Sequence, residues 1–266
     1  NYINCYSMLP WNNMLHYRDA ATGQYVDVKA DPGTPAFREM WGPFLHAFTA
    51  HLRGKGWLEI TNIAMDERSP EVMAEATALL REVAPELGIA LADNHKSFKQ
   101  YPYIRDMCAG IFGPIDPADI ADRRARGLTT TYYVCCSSGF PNTYTSSAPA
   151  EAVYLSWYAA AGDYDGFLRW AYNSWPEDPI RDSRFGTWTA GDTYIVYPEG
   201  RSSIRFERLV EGIQDWEKIR QLKAEAAGDG ERLQRIETLL EPFRSPIAFE
   251  GWEQALRETR AALDTL

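Results

Sequence analysis

The chain reads Leu58-Glu-Ile-Thr-Asn-Ile-Ala-Met-Asp-Glu-Arg-Ser-Pro, an apolar run that ends in two adjacent carboxylates and then a helix-start signal. Side chains alternate along a strand, so Asn62, Ala64 and Asp66 share one face while Ile63 and Met65 share the other. The small and polar set suits a site-bearing face, and the apolar set suits a helix layer. Asp66 then points into a cavity mouth, and Glu67, one step later where the strand ends, can swing over the same cavity. Two carboxylates this close repel each other as anions, so one is expected to hold its proton above the usual range and act as a general acid. The competing reading is that Asp66 and Glu67 cap the next helix or pair with Arg68. Taken alone, the dipeptide does not decide between the two.

Two further segments carry candidate site residues. In Asp165-Gly-Phe-Leu-Arg-Trp-Ala-Tyr-Asn-Ser-Trp, alternation puts Arg169, Ala171, Asn173 and Trp175 on one face. An arginine does not face a buried helix layer without a partner, so this set is placed inward, with Asn173 and Trp175 nearest the mouth. An indole offers a flat apolar face to the C–H face of a sugar, and an asparagine offers both donor and acceptor to hydroxyls. Trp170 and Tyr172 are expected in the core, while Trp175 stands between the two roles. In Thr130-Thr-Tyr-Tyr-Val-Cys-Cys, one of Tyr132 and Tyr133 must face inward, and the sequence does not say which. Cys135 and Cys136 point to opposite faces and read as small buried residues rather than nucleophiles. Of the histidines only His95, beside Asp93 and Asn94 at a strand end, is placed near a site, and Trp11 is placed at a rim.

These residues need a scaffold. Strand-like runs are expected at 2–9, 57–65, 88–93, 107–112, 129–136, 165–172 and 193–196. Between them, helical periodicity marks 37–52, 70–83, 117–126 and 148–161. The 70–83 segment has Ser69 as a cap and Pro70 at its first turn, with Met73, Ala76, Leu79, Leu80 and Val83 facing inward. Strand, helix and strand in alternation mean parallel strands covered by helices. Runs such as Gly88-Ile-Ala-Leu-Ala are too continuously apolar for a one-sided antiparallel sheet. After Tyr197 the signal turns helical, at 202–222, 232–243 and 251–266.

A nucleotide-binding open sheet would show a glycine-rich turn after a strand, and none is present. Polar and aromatic residues instead gather at several strand ends: Trp11, Asp66-Glu67, Asp93-Asn94-His95, Ser137 and Asn173-Ser174-Trp175. That distribution is the pattern of a (β/α)8 TIM-type barrel. A barrel domain is expected over 1–225 and a helical segment over 226–266. With 45 % apolar residues and nine tryptophans the chain is not disordered. A net charge of −10 argues against nucleic acid or an anionic membrane as partner. No run approaches the ~20 apolar residues that cross a bilayer. The four cysteines and four histidines lack metal-ligand spacing, so no metal or other cofactor is expected. The chain begins at Asn1 with neither an initiator methionine nor a signal segment, which reads as a processed form or a fragment and leaves localisation open.

Four segments together resemble glycoside hydrolase family 123, the β-N-acetylgalactosaminidases and their relatives. They are Ala64-Met-Asp-Glu-Arg, Thr130-Thr-Tyr-Tyr-Val-Cys-Cys, Gly166-Phe-Leu-Arg-Trp-Ala-Tyr-Asn-Ser-Trp-Pro and Ser202-Ser-Ile-Arg-Phe-Glu-Arg-Leu-Val-Glu-Gly-Ile-Gln-Asp-Trp-Glu. The similarity runs from the first residue to about residue 225, and it is the combination that is specific. The resemblance implies a barrel with an Asp-Glu pair ending its fourth strand, and substrate-assisted retaining hydrolysis of β-linked N-acetylhexosamine. Glu67 then matches the general acid/base, and Asp66 the carboxylate that orients the 2-acetamido group. It implies a glycan or glycoside as partner, and leaves Trp11, Asn94, His95, Tyr132, Tyr133, Asn173 and Trp175 as substrate-binding candidates. Relatives carry a β-sandwich and two βα units ahead of the strand matched by 2–9, so the strands here correspond to the third through eighth. An upstream segment or another chain is expected to supply the rest. Two alternatives stand beside this: a same-scaffold glycosidase for another sugar, and a catalytically silent carbohydrate-binding or structural fragment.

Overall fold

The computed structural model describes residues 2–5, 7–136 and 138–266. Ser137, expected at a strand end, lies outside the described residues, as do Asn1 and Tyr6. The chain divides into two compact units, residues 1–108 and 109–266.

The first unit contains β1 (Ile3–Cys5), an antiparallel hairpin of β2 (Met14–Arg18) and β3 (Tyr25–Lys29), α1 (Pro35–Lys55), β4 (Thr61–Met65), α2 (Pro70–Val83), β5 (Gly88–Ala92) and β6 (Ile104–Gly110), the last reaching past Cys108. Within it the strand order is β1-β4-β5-β6, and every neighbouring pair is parallel. Asn4 stands opposite Asn62, and Asn62 opposite Gly88. The helices form where the sequence supplies both caps and an apolar stripe. Thr34 accepts the Phe37 N–H at the start of α1, Pro35 follows, and Gly56 ends the helix in the left-handed region at φ 72°. Phe37, Trp41, Leu45 and Leu52 make its buried stripe. In α2, Ser69 accepts the Val72 N–H, and Met73, Ala76, Leu79 and Leu80 are buried, with Val83 half-buried. Arg38 and Glu82 tie the two helices by a bidentate pair, both contacts at 2.7 Å.

The second unit contains α3 (Pro117–Ala125), β7 (Thr129–Val134), α4 (Pro149–Ala161), β8 (Gly166–Arg169), α5 (Ile204–Glu225), α6 (Gly230–Leu240) and α7 (Trp252–Leu263). Strands β7 and β8 pair in parallel, with Val134 opposite Arg169. Helix α4 is apolar on nearly every side, and it is buried from Glu151 to Ala161. Helix α5 crosses it at Gly212, where an added Cβ would lie 3.0 Å from the Val153 backbone, so only glycine admits this approach. Trp157 Nε1 donates to Asp215 at 2.8 Å across the same contact. The 226–266 segment packs onto α4 through Phe243, whose ring meets those of Tyr154 and Trp157.

The parallel α/β class follows the sequence, and the strand count is that of a barrel without its first two βα units rather than of a complete one. Six parallel strands are present among the described residues, four in the first unit and two in the second. Several limits also move. The run at 57–65 begins as a 3-10 turn at Leu58–Ile60 before β4. The run at 165–172 stops at Arg169. The strand expected at 193–196 is absent: Tyr194 makes a single antiparallel bridge to Asn173 within loop structure. Among the described residues no helix is long and apolar enough to cross a membrane.

Candidate active site

Strand β4 carries the two faces that its sequence alternation requires. Ile63 and Met65 are buried, whereas Ala64 and Asp66 are half-buried. Below them Asn62 is fully buried, and its side-chain amide donates to Asn4 Oδ1 at 2.8 Å. Asn4 in turn donates to Asp106 Oδ2 at 2.7 Å. The face that bears Asp66 is therefore polar across β1, β4 and β6. Gly88 of β5 makes room for this ladder, since a Cβ there would sit 2.0 Å from Asn62 Oδ1.

Asp66 and Glu67 stand where β4 ends. Asp66 Oδ1 accepts the Glu67 backbone N–H at 2.8 Å, and Asp66 Oδ2 accepts the Trp11 indole N–H at 3.2 Å. Glu67 Oε1 accepts from Asn94 Nδ2 at 2.7 Å. Neither carboxylate caps α2, because Ser69 does. Arg68 does not take them up: its guanidinium donates to Leu9 O, Pro10 O and Asn13 Oδ1, and lies 5.6 Å from the Trp11 ring centroid. Neither carboxylate is therefore committed to the helix cap or to Arg68. The Glu67 carboxyl is pushed above the usual glutamate range, first by burial, then by the charges of Asp66 and Asp93, with His95 opposing. Adjacency to Asp66, the cause read from sequence, is thus present but second to burial. Of the sequence candidates, Trp11, Asp66, Glu67, Asn94 and His95 fall in one neighbourhood of the first unit.

The candidates of the second unit divide differently. Tyr132 is fully buried, packed against Tyr158, Tyr164 and Phe167, and its hydroxyl donates to Leu155 O. It belongs to the helix layer rather than to the face that Tyr133 shares, because β7 alternation turns it under α4. Tyr133 lies on the opposite face, half-buried. Asn173 is exposed, and Trp175 is half-buried with its indole N–H on Val196 O at 2.7 Å. Arg169 does find the partner its burial demands. Its Nη2 lies 2.6 Å from Asp192 Oδ1, with both side chains almost wholly buried. Trp170 and Tyr172, expected in the core, are 38 % and 48 % exposed because β8 ends before them. Cys136 is exposed and Cys135 half-buried, so this pair is not a buried one.

A family model, the glycoside hydrolase 123 catalytic domain, matches residues 1–222. The chain belongs to glycoside hydrolase family 123. A solved family 123 glycoside hydrolase from Clostridium perfringens, studied for glycolipid glycan hydrolysis, superposes with a TM-score of 0.84 at 27 % identity. The match covers 99 % of this chain and 51 % of that one, so the chain spans about half the length of that enzyme. Xylanase 10B from Thermotoga maritima matches at a TM-score of 0.37 and 9 % identity, over 66 % of each chain. No curated protein matches.

As a family 123 catalytic domain, the chain has two further carboxylates to which its sequence assigned no role. Asp93 sits buried beside the acidic pair, its oxygens accepting the backbone N–H groups of His95 and Ser97, both at 2.9 Å. Its position two residues before His95 in a strand-end cluster was the available signal. Asp192 anchors Arg169 and also accepts the Trp170 indole N–H at 3.2 Å. It lies in a loop with no pattern around it, and nothing in the sequence could have marked it.

Proposed function

We propose that this glycoside hydrolase removes β-linked N-acetylhexosamine, GalNAc in the first place, by substrate-assisted retaining catalysis. The observation that carries the proposal is the placement of two adjacent carboxylates with different partners at the end of β4. Glu67 is biased toward its protonated form, and Asp66 is held by two N–H donors as an acceptor. In this scheme the acetamido carbonyl oxygen of the sugar attacks its own anomeric carbon, so the protein supplies no nucleophile. Asp66 accepts the acetamido N–H and stabilises the positive charge that develops on the oxazolinium ring. Glu67 protonates the departing glycosidic oxygen and then deprotonates the incoming water. Neighbouring carboxylates suit this division of labour, since both act on one side of one sugar, unlike a pair that brackets the ring. The same proposal takes the strands as part of a (β/α)8 barrel, and takes a glycan such as that of a glycolipid as the substrate class.

A matched pair of chromogenic glycosides tests it. The aryl β-GalNAc is cleaved and the aryl β-galactoside is not, because the galactoside lacks the internal nucleophile. Similar rates on both would instead point to a glycosidase that makes no use of the acetamido group.

A further inference from the structure

The turn after β5 carries a carboxylate to which the proposed chemistry gives no task. Asp93 is 2 % exposed, and both of its oxygens are engaged by main-chain donors four residues of chain or fewer away. A carboxylate gripped in this way cannot swing, and it fixes the chain it grips. That chain includes Lys96, which holds the left-handed conformation at φ 55°. Asn94 lies within the same turn and aims its amide at Glu67 Oε1. In a neutral carboxyl the carbonyl oxygen is the stronger acceptor, so an N–H on Oε1 favours Oε2 as the oxygen that carries the exchangeable proton of Glu67.

We propose that Asp93 and Asn94 are the positioning residues of Glu67. Asp93 clamps the β5 turn, and through that turn Asn94 fixes the Glu67 carboxyl with Oε2 as the proton-bearing oxygen. The inference rests on Glu67 being the acid/base. Asn94, read from sequence as a substrate contact, acts here through Glu67.

The two residues bias the Glu67 proton in opposite senses, which makes the assignment testable. The charge of Asp93 disfavours the Glu67 anion, as does that of Asp66, while His95 opposes both. Arg68, next in sequence, directs its charge to Leu9, Pro10 and Asn13 instead. The N–H of Asn94 stabilises the anion more than the acid. Removing the Asp93 charge therefore lowers the Glu67 titration midpoint, and removing the Asn94 donor raises it. A general loss of local order would move both the same way.

The experiment is a 13C NMR titration of the whole chain labelled at glutamate Cδ, with the Glu67 signal assigned by its loss in Glu67→Gln. Asp93→Asn shifts the midpoint down, and Asn94→Ala shifts it up. Asn94→Ala leaves both Asp93 backbone bonds in place, so it reports even if Asp93→Asn fails to fold. Asn94→Ala also lowers kcat about tenfold on aryl β-GalNAc substrates with poor leaving groups, a fraction of what general acid catalysis contributes. Midpoints unmoved in folded variants overturn the positioning role, even where Glu67→Gln abolishes turnover. Full turnover by Glu67→Gln overturns the acid/base assignment itself, whatever the midpoints do.

Discussion

Trp11→Phe isolates one hydrogen bond at the proposed site. The substitution removes the indole N–H from Asp66 Oδ2 but keeps an aromatic ring near the Arg68 guanidinium. A hydrogen bond to a charged group contributes about 1.5–3 kcal/mol when it is well made. This one is 3.2 Å long, whereas charge-assisted bonds cluster nearer 2.7–2.9 Å. Trp11 is also 69 % exposed, so water competes for both partners. These two facts place the loss at about 1 kcal/mol, below the usual range for ionic partners. The Glu67 N–H remains on Asp66 Oδ1, so the carboxylate is loosened rather than released. If Asp66 holds the acetamido N–H in the transition state, about 1 kcal/mol becomes a fall of about fivefold in kcat/KM. The assay is initial rates on an aryl β-GalNAc, with far-UV circular dichroism to show an unchanged fold. An unaltered kcat/KM would refute the idea that Trp11 orients Asp66. A loss beyond about a hundredfold would refute the magnitude, and would mean that the indole itself binds the sugar.

Two further outcomes follow from buried charge. Asp192→Ala strands the Arg169 guanidinium in the interior and costs about 3–5 kcal/mol in urea unfolding, while Arg169→Met combined with Asp192→Leu recovers much of that loss. A single-mutant cost under about 1 kcal/mol would contradict the pair's role. The Glu67 carboxyl, raised by burial first and then by Asp66 and Asp93, gives a pH signature of the opposite kind from a salt-bridged acid. Its folded-state value exceeds its unfolded one, so its favourable contribution is complete at low pH. That contribution is lost as pH climbs from the ordinary glutamate range through the raised value. The urea midpoint of the native protein therefore falls relative to that of Glu67→Gln across that window, and parallel curves would contradict the shift.

The parts of the fold that were legible in sequence are those where local chemistry and burial agree. Helix α2 runs from Pro70 to Val83 as its Ser69 cap and apolar period require. Asp66 lies on the face of Ala64 because Ile63 and Met65 take the buried one. The hairpin of β2 and β3 carries no such signal, for the opposite reason. Its residues are mostly exposed, so Met14–Arg18 and Tyr25–Lys29 have no buried face to impose a pattern. The segment after Arg169 misled because its aromatics look like core. The chain leaves the strand there, and Trp170 instead meets Trp188 with ring centroids 4.9 Å apart, both partly exposed. Tyr132 and Tyr133 could not be told apart without knowing which face α4 would cover. Asp93 shows the remaining gap. Its neighbours in sequence were visible, but its grip on His95 and Ser97 depends on a turn geometry that alternation does not encode.

The most direct measurement compares the native chain with Glu67→Gln on two aryl β-N-acetylgalactosaminides, one with a poor leaving group and one with a good one. A departing group that needs no proton bypasses the acid, so glycosylation of the activated substrate proceeds in the variant. The account predicts a loss of about a hundredfold or more on the poor leaving group. On the good one it predicts a pre-steady-state release of the first phenolate at close to the native rate. Equal losses on both substrates, or native turnover of the poor one, would contradict Glu67 as the proton donor.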